Sequence, residues 1–145
     1  MINAHQAIRN AIEAELAAAR FYRLLEDGTK DEETKEFLAE MATQEVRHAE
    51  AIEVNGREIA DGPLPPRADG DVDMIETVPE WRFVDDLTLE QALDVALAAE
   101  RQASMYYDAF SDHFEGSMKK FFADLSMVEA EHAARIEKRK NALRR

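Results

Sequence analysis

Lys35-Glu-Phe-Leu-Ala-Glu-Met-Ala-Thr-Gln-Glu-Val-Arg-His-Ala-Glu-Ala-Ile-Glu53 aligns without gaps on Lys119-Lys-Phe-Phe-Ala-Asp-Leu-Ser-Met-Val-Glu-Ala-Glu-His-Ala-Ala-Arg-Ile-Glu137, with 8 of 19 positions identical. Glu45 falls on Glu129, His48 on His132 and Ile52 on Ile136. In both copies the stripe Leu38, Met41, Glu45, His48, Ile52 or Phe121, Leu125, Glu129, His132, Ile136 recurs at three- and four-residue steps, which is one face of a helix. The two outer segments repeat as well. Ile8, Ile12, Glu15, Ala19 and Tyr22 share one face, and Leu93, Leu97, Glu100, Ser104 and Tyr107 share another, with Glu15 matching Glu100 and Tyr22 matching Tyr107. One helical hairpin is thus written twice, and the polar residues inside its apolar stripes are repeated along with the apolar ones.

The spacing predicts helices over about 3–27, 31–54, 88–113 and 117–143. Asn3 with Gln6 and Thr88 with Gln91 have the spacing of capping boxes; Gly28 and Asn55-Gly56 are the expected stops. Residues 56–87 hold all four prolines and the only tryptophan, Trp81, which is expected to anchor this connection on the bundle. Two short loops and one long one make two antiparallel hairpins joined by a crossover. The fold expected is an all-α four-helix bundle of the ferritin-like kind, a single domain over 1–145.

Composition removes whole classes of function. Lys+Arg 18 against Asp+Glu 31 gives a net charge of −13, the wrong sign for a nucleic-acid partner. No cysteine is present, so disulfides, thiol nucleophiles and thiolate-bound iron are excluded from these residues. The first residues lack an unbroken apolar run and no stretch approaches the ~20 residues of a membrane helix, so a cytoplasmic chain with no membrane partner is expected.

A carboxylate turned into a core is costly unless it is paired or binds a cation. Here each helix has one such Glu near its middle: Glu15, Glu45, Glu100 and Glu129. Two belong to Glu-x-x-His, and the i, i+3 spacing of Glu45 with His48 and Glu129 with His132 lets carboxylate and imidazole reach one ion. Four Glu and two His are a ligand set for two divalent metals, whose +4 offsets the four carboxylates. Hard oxygen donors with one imidazole per ion suit iron or manganese, and zinc also fits. Two iron ions per chain are expected, because redox chemistry best accounts for a paired site.

At these residues the chain resembles the rubrerythrin branch of the ferritin-like superfamily: Glu15 followed by Phe21-Tyr22, Glu45-x-x-His48, Glu100 and Glu129-x-x-His132 all look like that family's motifs. The resemblance implies Glu45 and Glu129 as bridging, catalytic carboxylates, Glu15 and Glu100 as terminal ones, and one His per metal. It implies H2O2 or O2 as oxidant and an oxidative-stress or iron-handling role, as peroxidase or ferroxidase. Two departures stand out. The absence of Cys means no rubredoxin domain in these residues, so electrons come from an external donor. Ala103 stands where rubrerythrins commonly have a further Glu, leaving six ligands, as in bacterioferritin-type ferroxidase centres.

Other readings follow from the same residues. Tyr22 and Tyr107, two turns beyond Glu15 and Glu100, either hydrogen-bond metal-ligand carboxylates, take part in electron transfer, or simply fill core. The site is an enzyme centre, a port to a ferritin-type storage cavity, or a non-catalytic metal-stabilised bundle. His5 and His113 are expected at the surface, Glu13, Glu50, Glu53, Glu131 and Glu137 in solvent, and Met41, Met105, Met118 and Met127 in or near the core. A homodimer is expected, and the long crossover permits exchange of helix pairs between its chains.

Overall fold

The computed structural model describes residues 3–70 and 88–143. It contains α1 (Ala4–Gly28), α2 (Glu32–Ala60), α3 (Leu89–Ser111) and α4 (Gly116–Leu143). Each of the first three opens on a side-chain cap. Asn3 accepts from Gln6 N, Asp31 from Thr34 N, and Thr88 and Gln91 close a full capping box. These bonds satisfy backbone donors that the first helical turn leaves without partners. At Asn3 only half of the box forms. The Gln6 side chain instead donates to Asn10 and to the Arg67 carbonyl, each at 3.0 Å.

Helices α1 and α2 pack as one hairpin and α3 and α4 as the other, an all-α four-helix bundle. Two apolar clusters show how they run. One joins Ile8 and Ile12 of α1, Ile52 of α2, Tyr107 of α3 and Phe122 of α4. The second joins Phe21 and Leu25, Leu38 and Met41, Leu93 and Leu97, and Ile136. The first cluster therefore takes the start of α1 and α4 and the end of α2 and α3. So α1 and α4 point one way while α2 and α3 point the other. Two parallel neighbours in sequence need a connection as long as the bundle, about 35–45 Å at 1.5 Å per residue.

The beginning of that connection is visible. Leu64 is buried in the first cluster, Arg9 Nε donates to the Pro65 carbonyl at 2.6 Å, and Asn10 and Asp69 exchange two hydrogen bonds. The chain therefore lies against the first turns of α1, between Gln6 and Asn10. Trp81 and the rest of the expected crossover through 87 lie outside the described residues.

Helix α2 differs from its expected end: it continues through Asn55-Gly56 to Ala60 and stops only at Asp61, which takes the left-handed conformation at φ 53°. The crossover therefore begins near 61 rather than 56. Gly56 is a point of close approach, since a Cβ there would lie 2.5 Å from Cγ2 of fully buried Ile8. Gly56→Ala should accordingly destabilise the protein by ~1–3 kcal/mol by overpacking. That outweighs the ~1 kcal/mol that alanine gains in helix propensity. Denaturant unfolding checks it, and a stabilised variant would refute it.

Two of the four methionines expected in or near the core lie elsewhere. Met41 is buried and Met118 packs on the first cluster, but Met105 and Met127 are 70% and 69% exposed. Neither lies on its helix's inward stripe.

Candidate metal centre

Between the two apolar clusters lies a polar layer with one carboxylate from each helix. Glu15 sits between Ala14 and Ala18, Glu45 between Ala42 and Ala49, Glu100 between Leu97 and Ala103, and Glu129 between Leu125 and Ala133, and each of these neighbours belongs to one of the clusters. All four carboxylates are fully buried. The helical repeat carries the apolar stripe to mid-helix and then substitutes an acid for the residue that would fill the core.

Two imidazoles complete the layer. His132 Nδ1 lies 2.7 Å from Glu45, 3.6 Å from Glu100 and 3.8 Å from Glu129. His48 Nδ1 lies 3.1 Å from Glu15 and 3.4 Å from Glu129. The rings meet edge to face with centroids 6.1 Å apart. Glu45, Glu100, Glu129 and His132 each offer one donor atom within 4.8 Å of the others, and Glu15, His48 and Glu129 form a second such group. All six residues singled out from the sequence are thus together, and Glu129 is common to both groups. The spacing of Glu-x-x-His suggested that Glu45 would share an ion with His48 of its own helix. Glu45 groups with His132 of the opposite hairpin and also stands beside Glu15 of the second group.

The electrostatics are those of an acid cluster without enough positive charge. Burial, followed by the nearby carboxylates of Glu129 and Glu45, holds the Glu15 carboxyl well above its ordinary range. Burial also raises Glu129, but hydrogen bonding from Glu100, Glu15, His132 and His48 outweighs it and holds Glu129 low. For His132, burial works toward the neutral ring. The carboxylates of Glu100, Glu129 and Glu45 prevail and keep its proton bound far above the usual histidine range.

Both carboxylate oxygens of Glu15, Glu45 and Glu129, and Nδ1 of His48 and of His132, are buried without a well-formed hydrogen bond. Buried polar atoms in that number are exceptional in a folded protein. Hard oxygen donors and one imidazole in each group match a divalent cation, so the residues fit a metal-binding site.

Tyr22 approaches from the neighbouring helix: its hydroxyl donates to Glu100 Oε1 at 2.8 Å. It stands ~10.5 Å along α1 from Glu15, and the antiparallel α3 brings Glu100 beside it. Tyr107 is fully buried in the first apolar cluster. Because Tyr22 orients a donor carboxylate, Tyr22→Phe should weaken metal binding ~10–100-fold, measurable by competition with a chelator. An unchanged affinity would reduce Tyr22 to core filling.

The remaining candidates lie elsewhere. His113 is exposed and His5 lies beside Gly62, while Glu50, Glu131 and Glu137 face solvent and Glu13 and Glu53 pair with Arg9 and Arg57 at the surface. No helix among the described residues is long and apolar enough to cross a membrane.

No curated protein and no solved structure matches this chain. The rubrerythrin family model matches residues 6–92 and 91–145, one segment for each hairpin. With that match spanning nearly every residue and the acid layer at its centre, the chain belongs to the rubrerythrin family.

Proposed function

We infer that this chain is a non-haem di-iron oxidoreductase that oxidises Fe(II) with H2O2 or O2. The observation that supports it is the layer of fully buried acids around two imidazoles, in which both carboxylate oxygens of Glu15, Glu45 and Glu129 lack a well-formed hydrogen bond. Glu45, Glu100, Glu129 and His132 would hold one ion; Glu15, His48 and the shared Glu129 would hold the other. Bound there, two iron ions supply two electrons together to a single oxidant, which avoids radical products.

The residues of the chain do the rest. Four carboxylates balance two divalent charges, so the loaded layer is near neutral inside an apolar bundle. Tyr22 fixes the orientation of Glu100. Ile12, Ile52 and Phe122 on one side and Leu38, Met41 and Ile136 on the other exclude water from above and below. His132 carries the proton that loading must displace, and the carboxylates around its Nδ1 retain it until then. The donor set also accepts manganese or zinc, but neither zinc nor a purely structural ion uses a redox pair. With no cysteine in the chain, electrons for re-reduction come from outside these 145 residues.

Anaerobic titration with Fe(II) should saturate at about two ions per chain, and H2O2 should then oxidise them within the mixing time of a hand experiment. Binding without oxidation would end the oxidoreductase reading and leave a metal-stabilised bundle.

A further inference from the structure

The positive charge of this acidic chain is gathered in one place. Residues 135–145 hold six of its 18 Lys and Arg and one of its 31 Asp and Glu. Cations in the last turn of α4 complement the helix dipole, an effect that fades within that turn. Arg135, Lys138 and Arg139 precede it. With Ala142 and the half-buried Phe37 of α2 they line a groove of about 290 Å³. The repeat places Ala51, Val54 and Asn55 at the positions of Arg135, Lys138 and Arg139, and Phe121 at that of Phe37. The ring is kept and the cations are not, so a hairpin of this design folds without them. Arg135 has partners of its own, Glu40 at 2.9 Å and Gln44. Arg139 is different. Its side chain is 16% exposed, and its nearest carboxylate, on the 79% exposed Glu33, stands 4.0 Å from Nη2. Its Nε is buried without a hydrogen-bond partner, and outside the acid layer no other buried side-chain nitrogen among the described residues is in that state. A buried donor without an acceptor is costly, and an acceptor from outside the chain would satisfy it.

We propose that this groove binds a small anion carrying a flat apolar ring, an aromatic carboxylate or phosphate, with its oxygens on Arg139 and Lys138 and its ring on Phe37. The Nε and Nη donors of Arg139 form a planar fork that matches two oxygens of either acid group. Lys138 is exposed and adds a second positive charge at the rim. Phe37 packs in part on the second apolar cluster and keeps a half-buried ring at the groove. About 290 Å³ suits one ring with its acid group rather than a helix of a protein partner. The chain as a whole carries −13, so long-range attraction does not draw anions to it, and the ring contact supplies the preference. Arg135 stands three residues beyond His132 and bonds Gln44, the neighbour of Glu45. The bound anion therefore lies about 5–10 Å along α4 from the acid layer. It uses none of the residues of that layer, so this site stands or falls independently of the metal-binding reading.

Equilibrium dialysis of the full chain against phenyl phosphate, benzoate and inorganic phosphate tests this, at about 0.15 M ionic strength to screen diffuse attraction. Phenyl phosphate or benzoate should bind at one site per chain, at least tenfold more tightly than inorganic phosphate, and the tighter of the two identifies the acid group. Arg139→Gln should weaken that aromatic anion at least tenfold. Arg139→Lys keeps the charge without the fork and should weaken it as well, which preserves the comparison if the glutamine variant is unstable. Phe37→Leu should remove the advantage over inorganic phosphate. Lys119→Gln, a cation paired with Asp112 at the other end of α4, should change nothing. Aromatic anions that do not bind, or bind no better than inorganic phosphate, would overturn the site. So would full affinity in both Arg139 variants, or an equal loss in Lys119→Gln.

Discussion

Loading the metal-free protein with Fe(II) under anaerobic conditions should raise its melting temperature by about 10–20 °C. A ligand bound only by the folded state contributes about 2.7 kcal/mol at a hundredfold excess over its dissociation constant, and two sites contribute about twice that. Each kcal/mol moves the midpoint by about 2–4 °C in a domain of this size. The increment should grow as pH rises from 6 to 8, because the proton on His132 and any on Glu15 must leave before the ions bind. Differential scanning fluorimetry at several Fe(II) concentrations measures both effects. A midpoint indifferent to metal would leave four buried acids without a cation and contradict the reading of the layer.

The second large effect is a difference in sign between two substitutions in the same layer. Glu129→Gln should destabilise the metal-free protein by about 1–3 kcal/mol, because it takes away a buried carboxylate that faces both imidazoles, while Glu45 still pairs with His132 at 2.7 Å. Glu129 is held low by the polar groups of Glu100, Glu15, His132 and His48 around it. Its stabilising contribution is therefore present above the ordinary glutamate pKa and is lost as pH falls through its folded value. Glu15 behaves in the opposite way. Its folded pKa is raised by burial and by Glu129 and Glu45, so its stability is full below about 4.5 and declines as pH climbs toward the folded value. Glu15→Gln should then stabilise the metal-free protein at neutral pH by ~1–3 kcal/mol, and not at pH 4. Both variants should lose metal-induced stabilisation, Glu15→Gln in part and Glu129→Gln for both ions, since Glu129 belongs to both groups. Urea unfolding of each variant, with and without Fe(II), checks the pattern. A Glu15→Gln protein weakened at neutral pH would mean that this carboxyl is a satisfied structural group.

The bundle and its acid layer were legible from residue spacing because the costs involved are local. A carboxylate at Glu15 or Glu100 within an apolar stripe violates burial energetics unless something compensates, and the repeat shows the violation twice. Features that depend on a partner element were not legible. Asn55-Gly56 reads as a helix stop, and only the position of Ile8 across the hairpin shows that the glycine serves close packing. The spacing of Glu45 and His48 describes one helix, whereas the contact of Glu45 with His132 is set by how two hairpins meet. Tyr22 could be placed on the inward face, but not against Glu100, for the same reason. Exposed Met105 and Met127 have a core-like side chain at positions whose orientation places them in solvent.

A hairpin bearing one Glu and one Glu-x-x-His supplies half of the layer, so two identical copies about a dyad would supply all of it. In such a homodimer every substitution appears twice, and both ions inherit the same surroundings. Tandem fusion lifts that constraint: 11 of the 19 aligned positions in the repeat already differ. Each half is free to drift under its own selection.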